Sequence, residues 1–140
     1  MTNMKVVDSL IGNEFALELG EQRVSGVFRV SGFVSYSKDD DGTRHTPPFE
    51  ISKTVERDAH SPFNAWLRET LAERHSKVIV TRDLVLLAID DGIITRRWVV
   101  KGAHIHQVRY SEFDSASFEM VAETYVIHYA DIEESFPASS

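Results

Sequence analysis

An alternation of period two runs through most of this chain and constrains its fold more than any other feature. Phe15, Leu17 and Leu19 alternate with Glu14, Ala16 and Glu18, the pattern of a strand with one buried and one wet face. Gly20-Glu21 supplies a turn. From Gln22 to Tyr36 the pattern predicts a longer strand, with Val24, Gly26, Phe28, Val30, Gly32, Val34 and Tyr36 on one face. Its two central glycines each close a Val-Ser-Gly triplet, so the strand should bend there. Bends of this kind let a small sheet curl towards a barrel.

Phe49 to Arg57 alternates again, with Phe49, Ile51 and Val55 opposite Glu50, Ser52, Thr54 and Glu56. Lys77 to Asp90 is apolar, Asp91-Gly92 reads as a hairpin turn, and Ile93 to Lys101 answers it. Ala103 to Tyr110 continues that strand after a break at Gly102. A last strand is expected from Ser117 to Asp131, with Phe118, Met120, Ala122 and Val126 on one face.

One segment changes period. Ser61 followed by Pro62 reads as an N-cap and first helical residue, and Phe63, Trp66, Leu67, Thr70, Leu71 and Arg74 recur at helical spacing. The expected fold class is therefore mainly β (α+β). It is a small β-barrel or two-sheet sandwich of six to seven antiparallel strands, with one amphipathic helix at about 62–75. Residues 1–140 read as a single domain, with an N-terminal arm at 1–12, a long polar loop at 37–48 and a frayed tail at 135–140.

Composition narrows the function. The 140 residues are 42% hydrophobic and 26% charged, ordinary usage for a folded domain of this size. Twenty-two acidic against 15 basic residues leave a formal charge of −7, which argues against a general phosphate-binding surface. The absence of cysteine removes disulfides, thiol catalysis and every cysteine-based metal site. The strongest apolar run, Leu84 to Ile89, falls far short of the ~20 residues of a membrane helix. Met1 to Gly12 carries Lys5 as its one basic residue and does not read as a secretory signal. Cytoplasmic synthesis and no membrane insertion are expected.

Chemical motifs are sparse. His104 and His106 lie two apart on a strand and could chelate one ion, with Glu119, Glu123 or His128 approaching from the last strand. Without a ligand signature, a polar strand face is the plainer reading, and no metal is assigned. Ser37, Asp39, Asp41 and Gly42 fit part of a calcium loop, but Pro48 stands where the closing bidentate glutamate belongs. No nucleophile elbow, Walker loop or spaced carboxylate pair is present. No catalytic residue and no cofactor are assigned, and an enzyme is not expected. A monomeric β-barrel ligand-binding module, with Trp66 and Trp98 lining a pocket, remains a distinct alternative.

The residues also resemble a family. Asn13-Glu-Phe-Ala-Leu-Glu-Leu-Gly20, followed by Val24-Ser-Gly-Val-Phe-Arg-Val-Ser-Gly-Phe33, is similar to the start of the tail tube proteins of contractile-tailed phages. That family includes the inner tube proteins of contractile injection systems. Phe49 to Val55 looks like its strand before the helix, and Ser61-Pro-Phe-Asn-Ala-Trp-Leu67 like its helix with a central tryptophan. Arg96-Arg97-Trp98 and Phe118 to Tyr129 resemble the later hairpin and closing strand. The resemblance spans about residues 13 to 134. It departs at His45-Thr-Pro-Pro-Phe49, which replaces a Leu-Pro-Gly-Leu segment, and at Glu56-Arg57-Asp58, where a glycine is missing.

The resemblance implies a structural subunit of hexameric rings that stack into a hollow tube, driven through a target envelope by a contracting sheath. The implied partners are further copies of the chain, sheath, baseplate hub and spike proteins, and a cargo protein or DNA in the lumen. Main tube, tube-initiating ring and tube-terminating ring stay open, as do phage tail and released phage-tail-like particle. On this reading Lys38, Asp39, Asp40, Asp41, Arg44 and His45 of the polar loop contact a neighbouring subunit or ring. Glu50, Glu56, Glu119 and Glu123 would face the lumen, where a ring multiplies the acidic charge and keeps polyanionic cargo from adhering.

Overall fold

Residues 14–137 are described by the structure, a computed structural model. The expected 1–12 arm and the end of the 135–140 tail lie outside the described residues. The elements follow in the order β1 (Phe15–Leu19), β2 (Gln22–Arg23), β3 (Val27–Ser31), β4 (Phe49–Thr54), α1 (Pro62–Ala72), β5 (Arg82–Asp90), β6 (Ile93–Tyr110), β7 (Ala122–His128) and β8 (Asp131–Ser135). The fold is mainly β with one helix, as the alternation requires. Eight strands replace the expected six or seven: the break around Gly26 cuts the long second strand into two, and Asp131–Ser135 adds β8 after the last expected strand. Among the described residues no helix is long and apolar enough to cross a membrane.

The strands join in the hydrogen-bonded order β2-β1-β5-β6-β7-β4-β3, with β8 also on β6, and every pairing is antiparallel. The path ends at β2 and β3, so the barrel is not closed. The hinge is β6, which is 18 residues long. Its first half pairs with β5 and β8, and from His104 onward it pairs with β7. The turn between the two halves falls at Gly102, whose φ is +64°. A Cβ built there would sit 3.2 Å from the Ala130 Cβ, so only glycine lets the two strands bend together. Both halves of the sheet share one core.

The tight turns are where the sequence puts them. Gly20 and Glu21 both have positive φ, as do Asp91 and Gly92, which is the conformation that joins two twisted strands in two residues. The strand after Arg23 differs from its expected parity. Gly26 and Gly32 adopt φ of +81° and +69°, and each breaks the alternation. Phe28 therefore faces outward at 50% exposure, while Val27, Val30 and Phe33 pack on the core.

The helix covers the core with Phe63, Trp66 and Leu67, and ends at Ala72, one turn earlier than expected. Phe63 stands 4.9 Å from the Tyr125 ring and 5.6 Å from Trp66. Burying these aromatic side chains contributes about 2–3 kcal/mol each, which fixes the helix across the sheet. Trp66 Nε1 donates to the Val80 carbonyl at 3.1 Å, so its polar edge is satisfied. Ser61 does start the helix, since its carbonyl accepts from Ala65 N at 2.8 Å, but its hydroxyl makes no cap.

Candidate functional site

The polar loop 37–48 is a small closed hairpin. Lys38 and Arg44 form a bridge, and His45 N donates to the Ser37 carbonyl at 2.9 Å. His45 Nε2 meets Asp39 Oδ1 at 2.6 Å, and Thr43 N donates to Asp41 Oδ1 at 2.9 Å. That backbone bond holds the Asp41 carboxyl below its usual range. The two carboxylates proposed for calcium are thus turned towards their own loop. Arg44 anchors the hairpin by pairing with Asp131 at 2.5 Å and covering the Tyr36 ring. The side chains of Lys38 and Asp40 have no hydrogen-bond or ion-pair partner among the described residues.

One of the four acidic candidates is not at the surface at all. Glu50 lies on the outer face of the β3-β4-β7 half, in a two-pronged pair with Arg109 at 2.8 and 3.2 Å. The Arg109 bond holds its carboxyl below the ordinary value. Glu119 is exposed in the segment between β6 and β7. Glu56 reaches Lys53 Nζ at 3.2 Å. Glu123 corrects the expectation, because it is only 2% exposed and ion-pairs with fully buried Lys53 at 3.1 Å. On β7 the core face is Glu123, Tyr125 and Ile127. This inverts the expected parity and removes Glu123 from any solvent-lined wall. Burial, then the neighbouring Glu123 carboxylate, pushes the Tyr125 phenol well above its usual range.

A surface that sequence reasoning missed lies between β6 and β7. The expected strand from Ser117 is instead a projecting segment, 111–121. Its base is held by Ser111 N to the Ala122 carbonyl at 2.8 Å and Ala122 N to Ser111 Oγ at 2.9 Å. Phe113, Phe118 and Met120 stand out from it at 76%, 103% and 78% exposure. Three large apolar side chains thus stand in solvent within one short segment. The signal available in the sequence was Ser-Glu-Phe-Asp-Ser-Ala-Ser, a polar stretch that breaks the alternation before Phe118.

Among the remaining candidates, His128 joins His104 and His106, while Glu119 and Glu123 do not. Burial and the adjacent imidazoles push His104 and His128 below the usual histidine range. The two tryptophans do not share a pocket. Trp66 is fully buried in the core, whereas half-buried Trp98 packs edge-on to Phe33 at 5.6 Å and lines an outer apolar groove with Phe15, Phe28 and Leu86.

No family model and no curated protein matches the chain. Solved structures do. A chain of the PVC sheath–tube complex, from an extracellular contractile injection system in the extended state, superposes with a TM-score of 0.73 at 14% identity. The match covers 95% of both chains. The tube-terminating cap of the anti-feeding prophage gives 0.71 at 17% identity over 91% of each chain. Hcp1 from Flavobacterium johnsoniae gives 0.57 at 15% identity, over 87% of this chain and 94% of that one. The open, folded eight-stranded sheet with its single crossing helix, together with these near full-length superpositions, gives the chain the tail-tube fold of contractile injection systems.

Proposed function

We propose that the chain is a structural, non-enzymatic subunit that assembles into hexameric rings, stacked as the inner tube of a contractile injection system or phage tail. The observation that carries this reading is the exposed apolar segment with Phe113, Phe118 and Met120 on a chain of tube fold. An isolated subunit gains by covering such a patch. The free edges of β3 and of the second half of β6 supply the complementary element. Each offers a row of backbone groups that a neighbouring copy can pair, and a heterologous contact of that kind closes into a ring. Sheath, baseplate hub and spike proteins are the further partners. Cargo protein or DNA would pass through the lumen, with Glu50, Glu56 and Glu119 as the acidic groups available to its wall. Assembly takes place in the cytoplasm, and the product is a tail or tail-like particle.

The likeness to a tube-terminating cap favours a second reading, a single capping ring in place of a repeating one. Sedimentation velocity with negative-stain microscopy of the purified chain separates the two. Stacked rings support the tube, isolated rings support the cap, and a monomer at every concentration would sink both. Phe118→Asp with Met120→Asp should release monomers with an unchanged far-ultraviolet spectrum. Because His45 N is hydrogen-bonded to the Ser37 carbonyl, residues 38–44 can be replaced by a two-residue Asn-Gly turn. If the hairpin bridges rings, stacking is lost while rings persist.

A further inference from the structure

The outer face at the corner of the sheet carries a group of imidazoles distinct from the 37–48 hairpin and the 111–121 segment. His104 of β6 lies directly opposite His128 of β7 in the ladder, the placement that brings cross-strand side chains into contact. A regular strand would leave His106 one diagonal step from His128, about 7–8 Å away. The ladder is not regular there. Its register shifts between Ile105 and Gln107, so that His106 is the extra residue of a bulge. Gln107 takes the position opposite Val126, and the bulge swings the His106 ring onto His128. Their ring centres are 4.0 Å apart, with that of His104 5.6 Å from His128. One nitrogen from each of the three rings lies within 4.8 Å of the others.

We propose that His104, His106 and His128 form a zinc site that pins β6 to β7 beside the Gly102 corner. Imidazole nitrogens suit zinc, copper and nickel, and three of them with one water complete a tetrahedral zinc shell. Ligands 2.0–2.1 Å from zinc are about 3.3 Å apart, so the nitrogens must close by up to about 1.5 Å and the stacked His106 and His128 rings must turn out of parallel. Exposed His106 is free to rotate by that amount. Among the described residues no hydrogen bond or ion pair holds any of the three imidazoles. Their nitrogens are available to an ion, whereas two acidic residues of the same sheet are otherwise engaged: Glu50 is held by Arg109, and Glu123 lies on the core face with Lys53. The proposal is independent of the tube reading, since all the ligands come from one chain.

The test uses untagged protein freed of metal with a chelator and titrated with cobalt(II), whose visible bands report tetrahedral coordination. The expected result is saturation at one equivalent per chain, displacement of the bands by zinc, and a rise in Tm with zinc. Each of His104→Gln, His106→Gln and His128→Gln should weaken cobalt binding by about tenfold or more, and the triple variant should abolish it. If His104→Gln or His128→Gln fails to fold, His106→Gln remains decisive, because its ring is exposed. The absence of a stoichiometric cobalt spectrum, or an unchanged titration in His106→Gln, would overturn the site.

Discussion

The buried ion pair beneath the helix gives the sharpest test of how this core is held together. Lys53 Nζ is fully buried and donates to Glu123 Oε1 at 3.1 Å and to the Thr54 carbonyl at 2.8 Å. Glu56 Oε1 lies at 3.2 Å, and the Phe63 ring centre at 6.0 Å. Lys53→Met keeps the volume but leaves the Glu123 carboxylate buried without a cation. Removing one partner of such a pair costs about 3–5 kcal/mol. At about 3–5 °C per kcal/mol for a domain of this size, the Tm should fall by about 10–20 °C. Glu123→Gln should cost about 1–2 kcal/mol, because Lys53 keeps Glu56 and the Thr54 carbonyl. The double variant Lys53→Met/Glu123→Leu replaces both charges by apolar groups and should recover to within about 2 kcal/mol of the parent. Urea unfolding followed by circular dichroism, at constant m, reads all three. If Lys53→Met costs under about 1 kcal/mol, or the double variant is as unstable as the single, the pair is not the buried, mutually dependent unit described.

Gly102→Ala should cost about 2 kcal/mol, because a left-handed φ and the Ala130 Cβ both oppose a side chain. Gly92→Ala, with similar φ but nothing within 4 Å, should cost less in the same unfolding assay. Ser61→Ala should change stability by under about 0.5 kcal/mol in thermal melts, against ~1 kcal/mol for a working cap, since the Ser61 hydroxyl makes no cap bond. Glu50 is held low by Arg109, and Glu134 by Ser35 and then Arg96. Their stabilisation is present above the unfolded carboxylate value and is lost as pH falls through the lower folded one. Unfolding between pH 5 and 2 (about one step across the carboxylate range) should therefore show a shallower decline in Glu50→Gln and Glu134→Gln. Both pairs are solvent-screened, so the effect is small.

Much of this architecture is legible in the sequence because alternation, glycine and Asp-Gly act locally. The hairpin at Asp91-Gly92, the bends at Gly26 and Gly32 and the continuation of β6 past Gly102 all follow from residues within a few positions. Face assignment is less legible, because it depends on an unbroken count. One bend moves Phe28 out and Phe33 in, and one bulge decides whether His106 reaches His128. Charge misleads in the same way. Glu123 reads as solvent-facing, yet it lies on the core face with Lys53 because each supplies the other's counter-charge across two strands adjacent in space and 70 residues apart in sequence. Phe118 and Met120 read as core by hydropathy alone. Only the backbone path of 111–121 reveals that they point outward.

The dual membership of β6 has a mechanical consequence. A sandwich of two separate sheets has a seam along which one half can peel from the other. Here a single covalent strand crosses that line, and its 18 residues are hydrogen-bonded into both halves. A pulling or pushing load applied to one half is therefore borne along a peptide chain in tension or compression, not across a row of side-chain contacts. Unzipping either half requires stripping the same strand, so the two should yield together as one event.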